Sequence, residues 1–215
     1  MSSQTTLIVL AKAPVAGRSK TRLTPPCSPQ QAADLAEAAL RDTCDAVAAV
    51  ASVRRLLVLD GAVGAWLPTG FDVTSQCDGT LADRLGHAFS CVDGPALLIG
   101  MDTPQITPSM LEAGLRQLRR RKTDAVIGPA VDGGFWAIGF NDAAPGAFAN
   151  VTMSARDTLP QQRRQLASLG LTVTDLEVLR DVDEIADAHE VAALIPGSRF
   201  ARELANVTRQ TVALS

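Results

Sequence analysis

The chain has 215 residues, of which 47% are hydrophobic and 20% are charged. These proportions are ordinary for a globular protein, and they exclude intrinsic disorder, collagen and a disulfide scaffold. The net charge of −3 argues against a duplex-DNA binder, which normally carries a basic excess. It remains compatible with an anionic small molecule held in a local positive pocket. The length predicts one domain over residues 1–215.

Signals for export, membrane insertion and zinc binding are missing from the sequence. The apolar run at 7–11 is shorter than a signal-peptide core, and no basic residue precedes it. A membrane-spanning helix would need about 20 apolar residues. The four cysteines form no C-x-x-C pair and the two histidines lie far apart, which argues against a zinc site. We therefore expect a cytoplasmic protein that acts without a membrane or a nucleic acid.

Seven short apolar runs predict β-strands. Several are apolar along most of their length, which is typical of central strands covered on both faces. The runs lie at residues 6–11, 55–59, 71–74, 96–101, 124–127, 135–139 and 171–176.

Longer helical segments separate these runs, and most have a readable start. Ser28, Thr80 and Thr107 each occupy an N-cap position, and Ser154 with Asp157 is expected to open a further helix. The first helix is expected to run toward Ala51, and two more are expected near 187–194 and 199–207. Alternating strands and helices predict an α/β domain with a largely parallel sheet. Its ligand site should lie beyond the carboxyl ends of the strands.

The loop after the first strand is rich in cations. Within eleven residues it holds Lys12, Arg18, Lys20 and Arg22, with no acidic residue. It lacks the glycine fingerprint of a dinucleotide site, which excludes a Rossmann dehydrogenase, and Ser19 stands where a P-loop has glycine. Arginine forks and lysine point charges suit a diphosphate or a triphosphate. The alternative is a solvated basic loop.

Two aspartates are candidate metal ligands. Asp102 follows an apolar strand at the expected ligand edge, and Asp183 belongs to an acidic segment at 181–184. Mg²⁺ prefers one or two carboxylates together with phosphate oxygens and water. Asp183 could instead cap the helix that follows it.

A Gly-Gly sequence lies between the fifth and sixth predicted strands. Asp132, Gly133 and Gly134 are typical of a hairpin turn. The bare glycine backbone would equally allow close approach of a ligand, with Asp132 directed at it. The sequence leaves both interpretations open.

Several motifs of this chain together carry a resemblance to one family. The motifs lie at residues 11–14 (Ala-Lys-Ala-Pro), Gly17, 20–23 (Lys-Thr-Arg-Leu), Gln76, 79–81, 84–85, 100–104 (Gly-Met-Asp-Thr-Pro), 132–136 and 181–183. The chain resembles the bacterial GT-A-type glycosyltransferases known as radical-SAM/selenodomain-associated transferases. This resemblance implies the nucleotide-diphospho-sugar transferase fold, a single-domain, Rossmann-like three-layer α/β sandwich. The first loop is also similar to that of guanylyltransferases that act on phospholactate or phosphoenolpyruvate.

The cation-rich loop, the aspartates at the strand ends and the resemblance together predict roles for individual residues. Catalytic roles fall to Lys20, Arg22, Asp102 and Asp132, and Mg²⁺ or Mn²⁺ is expected on Asp102 and Asp183. Substrate contacts fall to Asp132, Gly133, Gly134 and Phe135. Nucleotide contacts fall to Ala11, Lys12, Ala13, Gly17, Arg18, Lys20, Arg22, Gln76, Gly79 and Arg84.

Three functions stay open at the level of sequence. The first is metal-dependent glycosyl transfer from a nucleotide-diphospho-sugar to a small acceptor. The second is nucleotidyl transfer from a nucleoside triphosphate to a small phosphate or carboxylate, with release of pyrophosphate. The third is nucleotide binding without turnover. The sequence also leaves a homodimer open.

Overall fold

The computed structural model describes residues 4–213, and within that range seven strands form one sheet. Residues 1–3 and 214–215 of the terminal segments lie outside the described residues. The strands are β1 (Thr6–Lys12), β2 (Arg54–Asp60), β3 (Asp72–Ser75), β4 (Ala96–Gly100), β5 (Ala125–Pro129), β6 (Phe135–Phe140) and β7 (Val173–Asp175). The helices are α1 (Pro29–Ala48), α2 (Leu81–Ser90), α3 (Pro108–Leu118), α4 (Thr158–Ser168), α5 (Ile185–Leu194) and α6 (Arg199–Ala213).

The sheet is mixed, with the strand order β3-β2-β1-β4-β6-β5-β7. β1 pairs in parallel with β2 and β4, β2 with β3, and β5 with β7. β6 runs antiparallel to both of its neighbours, β4 and β5. The largely parallel sheet is thus confirmed for most pairs and corrected at β6. A short connection from β5 reverses the chain, because parallel neighbours need a long crossover.

Helices cover both faces of the sheet. Successive strand residues point to opposite faces, so Leu7 and Val9 of β1 pack with buried residues of α1 and α3. Ile8, between them, packs with buried residues of α2 and α4. The predicted α/β class and three-layer arrangement are therefore confirmed.

The C-terminal helix packs on the chain's own core. Phe200 and Leu204 of α6 are buried with Leu35 of α1 and Val191 of α5. Arg199 adds ion pairs to aspartates of α1. The described part of the segment 199–215 is therefore tied to its own chain. No helix within residues 4–213 is long and apolar enough to cross a bilayer.

Most predicted helix starts are confirmed, and one is wrong. The hydroxyls of Ser28, Thr80 and Thr107 accept hydrogen bonds from backbone N–H groups at the third helical position. α4 begins at Thr158 rather than at Ser154, which has a left-handed backbone with φ of 58°. An N-cap residue normally has an extended backbone, which Ser154 lacks, and Asp157 occupies the N-cap position of α4 instead. α1 ends at Ala48, short of the predicted Ala51.

Candidate active site

A cavity of about 640 Å³ lies at the carboxyl edge of β1 and β4, where the strand and helix pattern predicts a ligand site. Its size is within the range of small-molecule sites. Ala13, Gly17 and Gly133 belong to its loops but are not on its wall. The predicted site residues on the wall are Ala11, Lys12, Arg18, Lys20, Arg22, Gln76, Gly79, Arg84, Asp102, Asp132, Gly134, Phe135 and Asp183.

The first loop is held in shape by a buried serine. The Ser19 hydroxyl donates to the Ala13 carbonyl at 3.1 Å and accepts from the Val15 N–H at 3.0 Å. Gly17 takes a φ of +75°, which lets the chain turn back over these bonds. Ser19 therefore has a structural role that the sequence did not reveal. Its hydrogen bonds fix the backbone that carries the cationic side chains.

Lys20 joins three segments at the bottom of the cavity. Its ammonium group lies 2.5 Å from an oxygen of Asp102 and also donates to the Val182 carbonyl. The side chain is only 9% exposed, so these partners stabilise its buried charge. The Val182 N–H in turn donates to the Asp102 carbonyl at 2.8 Å. The first loop, the end of β4 and the acidic segment are thereby bound together.

Arg22 makes a looser contact with the same acidic segment. Its Nη1 lies 2.8 Å from an oxygen of Asp183, and both side chains are well exposed. Exposed ion pairs contribute less than about 1 kcal/mol, so a phosphate group could displace this one at little cost. The structure does not place Asp183 at the N-cap of the following helix, α5. Glu184 occupies the N-cap, and the Asp187 carboxylate accepts from its N–H at 3.0 Å.

Three carboxylates converge on one side of the cavity. One oxygen from each of Asp132, Asp181 and Asp183 lies within 4.8 Å of the others. Burial, followed by the nearby charge of Asp132, raises the pKa of Asp181 to about 6, and Asp183 and Asp102 add to the rise. The negative charge here is therefore incompletely compensated. Oxygen donors so arranged suit a hard divalent cation such as Mg²⁺ or Mn²⁺.

The two predicted metal ligands, Asp102 and Asp183, have different surroundings in the structure. Asp183 belongs to the carboxylate cluster, whereas Asp102 lies outside it and pairs with Lys20. Asp181 was noted in the acidic segment, but nothing in its spacing distinguished it from Asp183. Only the folded chain places it opposite Asp132, some fifty residues away.

The Gly-Gly segment forms a tight turn between β5 and β6, as the hairpin interpretation predicts. The Asp132 carboxylate accepts from the Gly134 N–H at 2.7 Å. Gly133 has a φ of +95°, and a Cβ there would lie 2.1 Å from the carbonyl oxygen of Arg156. Its carbonyl also accepts from Leu159 N–H at 2.8 Å. Gly133 therefore lets the turn pack on the segment that leads into α4.

We expect Gly133→Ala to lower the free energy of unfolding by about 1–3 kcal/mol, because the new methyl group is both strained and in collision with backbone. Urea unfolding followed by circular dichroism measures this difference. Gly197→Ala is the matched control, since a Cβ there has no neighbour within 4 Å. Its stability should stay within about 0.5 kcal/mol of the parent. Equal stability of the two variants would contradict the assigned packing.

Both ends of the Gln76 amide group are hydrogen-bonded within the protein. Its amide nitrogen donates to the carbonyls of Ala11 at 2.7 Å and Val58 at 3.3 Å. Its amide oxygen accepts from Nη1 of Arg84 at 3.3 Å. Gln76 therefore connects β1 and β2 to the first turn of α2 at the rim of the cavity.

The two histidines and the basic run at 119–122 lie away from this cavity. His189 lines a separate groove between α5 and α6, and His87 on α2 contacts the Ser75 carbonyl. The run 119–122 follows the end of α3 on the exposed surface. All four cysteines are free thiols.

Solved structures share this fold. A Desulfovibrio desulfuricans G20 protein, provisionally assigned as a nucleotide-diphospho-sugar transferase, is 25% identical. It aligns over 100% of this chain and 97% of that one, with a TM-score of 0.85. CMP:2-keto-3-deoxy-manno-octonic acid synthetase complexed with CTP is 13% identical, aligning over 90% and 99% with a TM-score of 0.61. Rv0371c of Mycobacterium tuberculosis H37Rv, complexed with manganese, is 20% identical, aligning over 89% and 98% with a TM-score of 0.52.

These likenesses confirm the nucleotide-diphospho-sugar transferase fold, which cytidylyltransferases share. No curated protein sequence matches the chain. Residues 35–155 match the family described as "Uncharacterized protein conserved in bacteria (DUF2064)". This segment covers more than half of the chain and includes the Gln76, Asp102 and Asp132 motifs. The protein therefore belongs to the bacterial DUF2064 family.

Proposed function

We propose that residues 1–215 act as a single transferase domain that moves a glycosyl group from a nucleotide-diphospho-sugar to a small acceptor, with a divalent cation. One observation carries the proposal. The cation-rich first loop and the carboxylates of three other segments line one cavity, where Lys20 and Arg22 pair directly with Asp102 and Asp183. Neighbouring cations and carboxylates are what a phosphate group with its bound metal ion requires.

The first loop supports the diphosphate in this proposal. Lys12, Arg18 and Arg22 line the cavity and are exposed, and Arg22 is held only by its exposed ion pair with Asp183, so all three could turn toward phosphate oxygens. Lys20 is held near them by Asp102. Four cations balance the charge that accumulates on the departing diphosphate.

The carboxylates beside this loop support a metal ion. Asp183 and Asp181 would hold it, and Asp102, the other predicted ligand, lines the same cavity at the end of β4. Mg²⁺ or Mn²⁺ would supply charge neutralisation on the leaving diphosphate. The manganese complex of Rv0371c, which has the same fold, supports this choice of ion.

Asp132 is the proposed base that acts on the acceptor substrate. One of its oxygens is held by the Gly134 N–H, and the side chain is exposed to the cavity. In glycosyl transfer, the bond from the anomeric carbon to the diphosphate oxygen breaks while the acceptor oxygen bonds to that carbon. The second oxygen of Asp132 would take the proton that the acceptor hydroxyl loses.

Nucleotidyl transfer is the second candidate. Here an ionised phosphate or carboxylate attacks the α-phosphorus and pyrophosphate leaves, so no protein base is needed. The number of cations in the first loop favours this reaction, because a triphosphate carries more charge than a diphosphate ester. The synthetase complexed with CTP has the same fold, which also supports it.

A thermal-shift panel tests these alternatives. Nucleoside triphosphates and UDP-, GDP-, ADP- and dTDP-sugars would be tested with and without Mg²⁺ or Mn²⁺. A ligand at 100 times its dissociation constant stabilises by about 2.7 kcal/mol, which is a measurable shift.

Each outcome assigns a function. We expect a metal-dependent shift with a sugar nucleotide and a smaller one with triphosphates. A metal-dependent shift with triphosphates alone would replace glycosyl transfer with nucleotidyl transfer. Nucleotide binding that does not depend on metal would favour a binding protein without turnover. No shift with any nucleotide would contradict the proposal.

A further inference from the structure

One wall of the cavity differs in chemistry from the first loop. It is formed by residues of the turn 130–136 after β5 and of the segment 153–158 that leads into α4. The two stretches are packed together, since the Leu159 N–H donates to the Gly133 carbonyl at 2.8 Å. In the proposed function the first loop holds the donor diphosphate, so this wall, which carries Asp132, is where the acceptor would lie. We call the cavity-lining residues of 130–136 and 153–158 the acceptor wall.

The shape of the acceptor wall is fixed by a buried threonine. The Thr158 hydroxyl donates to the Thr152 carbonyl at 2.8 Å and accepts from the Ala155 N–H at 3.0 Å. Only 3% of Thr158 is exposed. These bonds hold the backbone of Met153 and Ser154 in place, so the wall is largely preformed, as small-molecule sites usually are.

Apolar side chains lie beside Asp132 on this wall. Phe135 and Met153 are half-buried, line the cavity and pack against the same hydrophobic cluster as Leu10. Leu98 belongs to that cluster and lines the cavity as well. Covering apolar surface with hydrocarbon is favourable, and the flexible methionine can adapt to the shape of a ligand. The acceptor wall therefore suits a ligand with an apolar or aromatic body.

The charge on the acceptor wall is negative. Among the described residues that form it, Asp132 is the charged side chain, and one of its oxygens lies within 4.8 Å of oxygens of Asp181 and Asp183. Arg156 belongs to the same segment, but it is exposed and does not line the cavity. Arg22, which pairs with Asp183, is assigned to the donor diphosphate. An anionic acceptor would therefore meet a like charge with no cation of its own, and like charges close together repel.

We propose that the acceptor is an uncharged alcohol with an apolar or aromatic body, which packs on Phe135 and Met153 with its hydroxyl at Asp132. This inference rests on the proposed function, because it takes the acceptor to lie next to Asp132. It adds the class of acceptor to that function. It also weighs against nucleotidyl transfer to a phosphate or carboxylate, since such a substrate would carry its charge toward Asp132.

Four small alcohols separate the effect of the body from that of the charge. Mandelamide and mandelate share a phenyl ring and differ in one charge, and lactamide and lactate carry a methyl group in place of the ring. Their binding to the full chain would be measured by saturation-transfer NMR, with Mg²⁺ and UDP, GDP, ADP or dTDP present in turn. Mandelamide should bind about 10-fold or more tightly than the other three, because burial of a ring is favourable and the Asp132 carboxylate opposes an anion.

Two variants test the residues behind each preference. Phe135→Ala should lower the affinity for mandelamide by about 5-fold or more and that for lactamide much less, because contact with the ring is lost. Asp132→Asn keeps an oxygen for the Gly134 N–H and removes the charge, so mandelate should gain affinity and approach mandelamide. Arg156→Ala is the control and should change neither preference. If Phe135→Ala does not fold, Met153→Ala provides the same comparison.

The possible results separate this proposal from the proposed function. If mandelate, lactamide or lactate binds as tightly as mandelamide, or if mandelamide does not bind the nucleotide-loaded protein, the class of acceptor alone is overturned. Unchanged mandelate affinity in Asp132→Asn likewise overturns it, because the carboxylate would then not be what excludes anions. If none of the four nucleoside diphosphates binds in the presence of Mg²⁺, both proposals are overturned.

Discussion

Asp102→Asn is expected to reduce turnover by about 100-fold or more, because it removes a charge proposed to act beside the metal ion and leaves Lys20 without its carboxylate partner, and loss of one preorganised electrostatic group typically costs that much. The substitution keeps the shape of the side chain but removes the charge that faces Lys20 at 2.5 Å. It also removes one of the carboxylates whose charge acts on Asp181. Turnover with the donor identified by the thermal-shift panel, at saturating Mg²⁺, measures the effect.

Asp93→Asn is the matched control for this variant. Asp93 is exposed and precedes β4, so it lies at the end of the strand opposite Asp102. Its turnover should equal that of the parent protein. Circular dichroism of Asp102→Asn should be unchanged, because that side chain is 44% exposed. Full turnover by a folded Asp102→Asn protein would refute a role for this carboxylate in catalysis.

Lys20→Ala is expected to weaken nucleotide binding by about 10-fold or more, since a hydrogen bond to a charged group contributes about 1.5–3 kcal/mol. The ammonium group is fixed between Asp102 and the Val182 carbonyl, at the point where loop and acidic segment meet. A phosphate group bound between the first loop and the acidic segment would be within reach of the Lys20 ammonium group. Titration of the nucleotide with Mg²⁺ present measures the dissociation constant.

Lys122→Ala is the control for Lys20→Ala, because it removes the same charge from a site away from the cavity. Lys122 is exposed in the basic run after α3, away from the cavity. Nucleotide affinity should be unchanged in this control. Unchanged affinity in Lys20→Ala as well would return the first loop to the interpretation of a solvated basic segment.

Local sequence signals predicted the strands and helices well wherever residues that are neighbours along the chain determine the secondary structure. The apolar runs located all seven described strands, and the hydroxyls of Ser28, Thr80 and Thr107 cap helices as expected. Ser154 failed as a helix start because its backbone is left-handed. Serine is common in both caps and turns, and sequence alone does not distinguish the two.

The direction of β6 depended on tertiary structure. Its apolar pattern is the same whether it runs parallel or antiparallel, because both faces of a central strand are buried. The Gly-Gly turn permitted a hairpin, and packing of β6 between β4 and β5 made it the observed pairing. The turn also brings Asp132 to the cavity, so strand direction and site composition are linked.

By itself, the sequence determined the chemistry available to the site: four cations in one loop, and aspartates that follow strands at the ligand edge. These features are local, because a strand end and its next residues are contiguous in the chain. Only the tertiary structure decided which of them meet. Lys20 reaches Asp102 and the Val182 carbonyl, and Asp181 joins Asp132 and Asp183. Such contacts join residues far apart in sequence, and their pairing follows from strand order and side-chain direction, which no local pattern encodes.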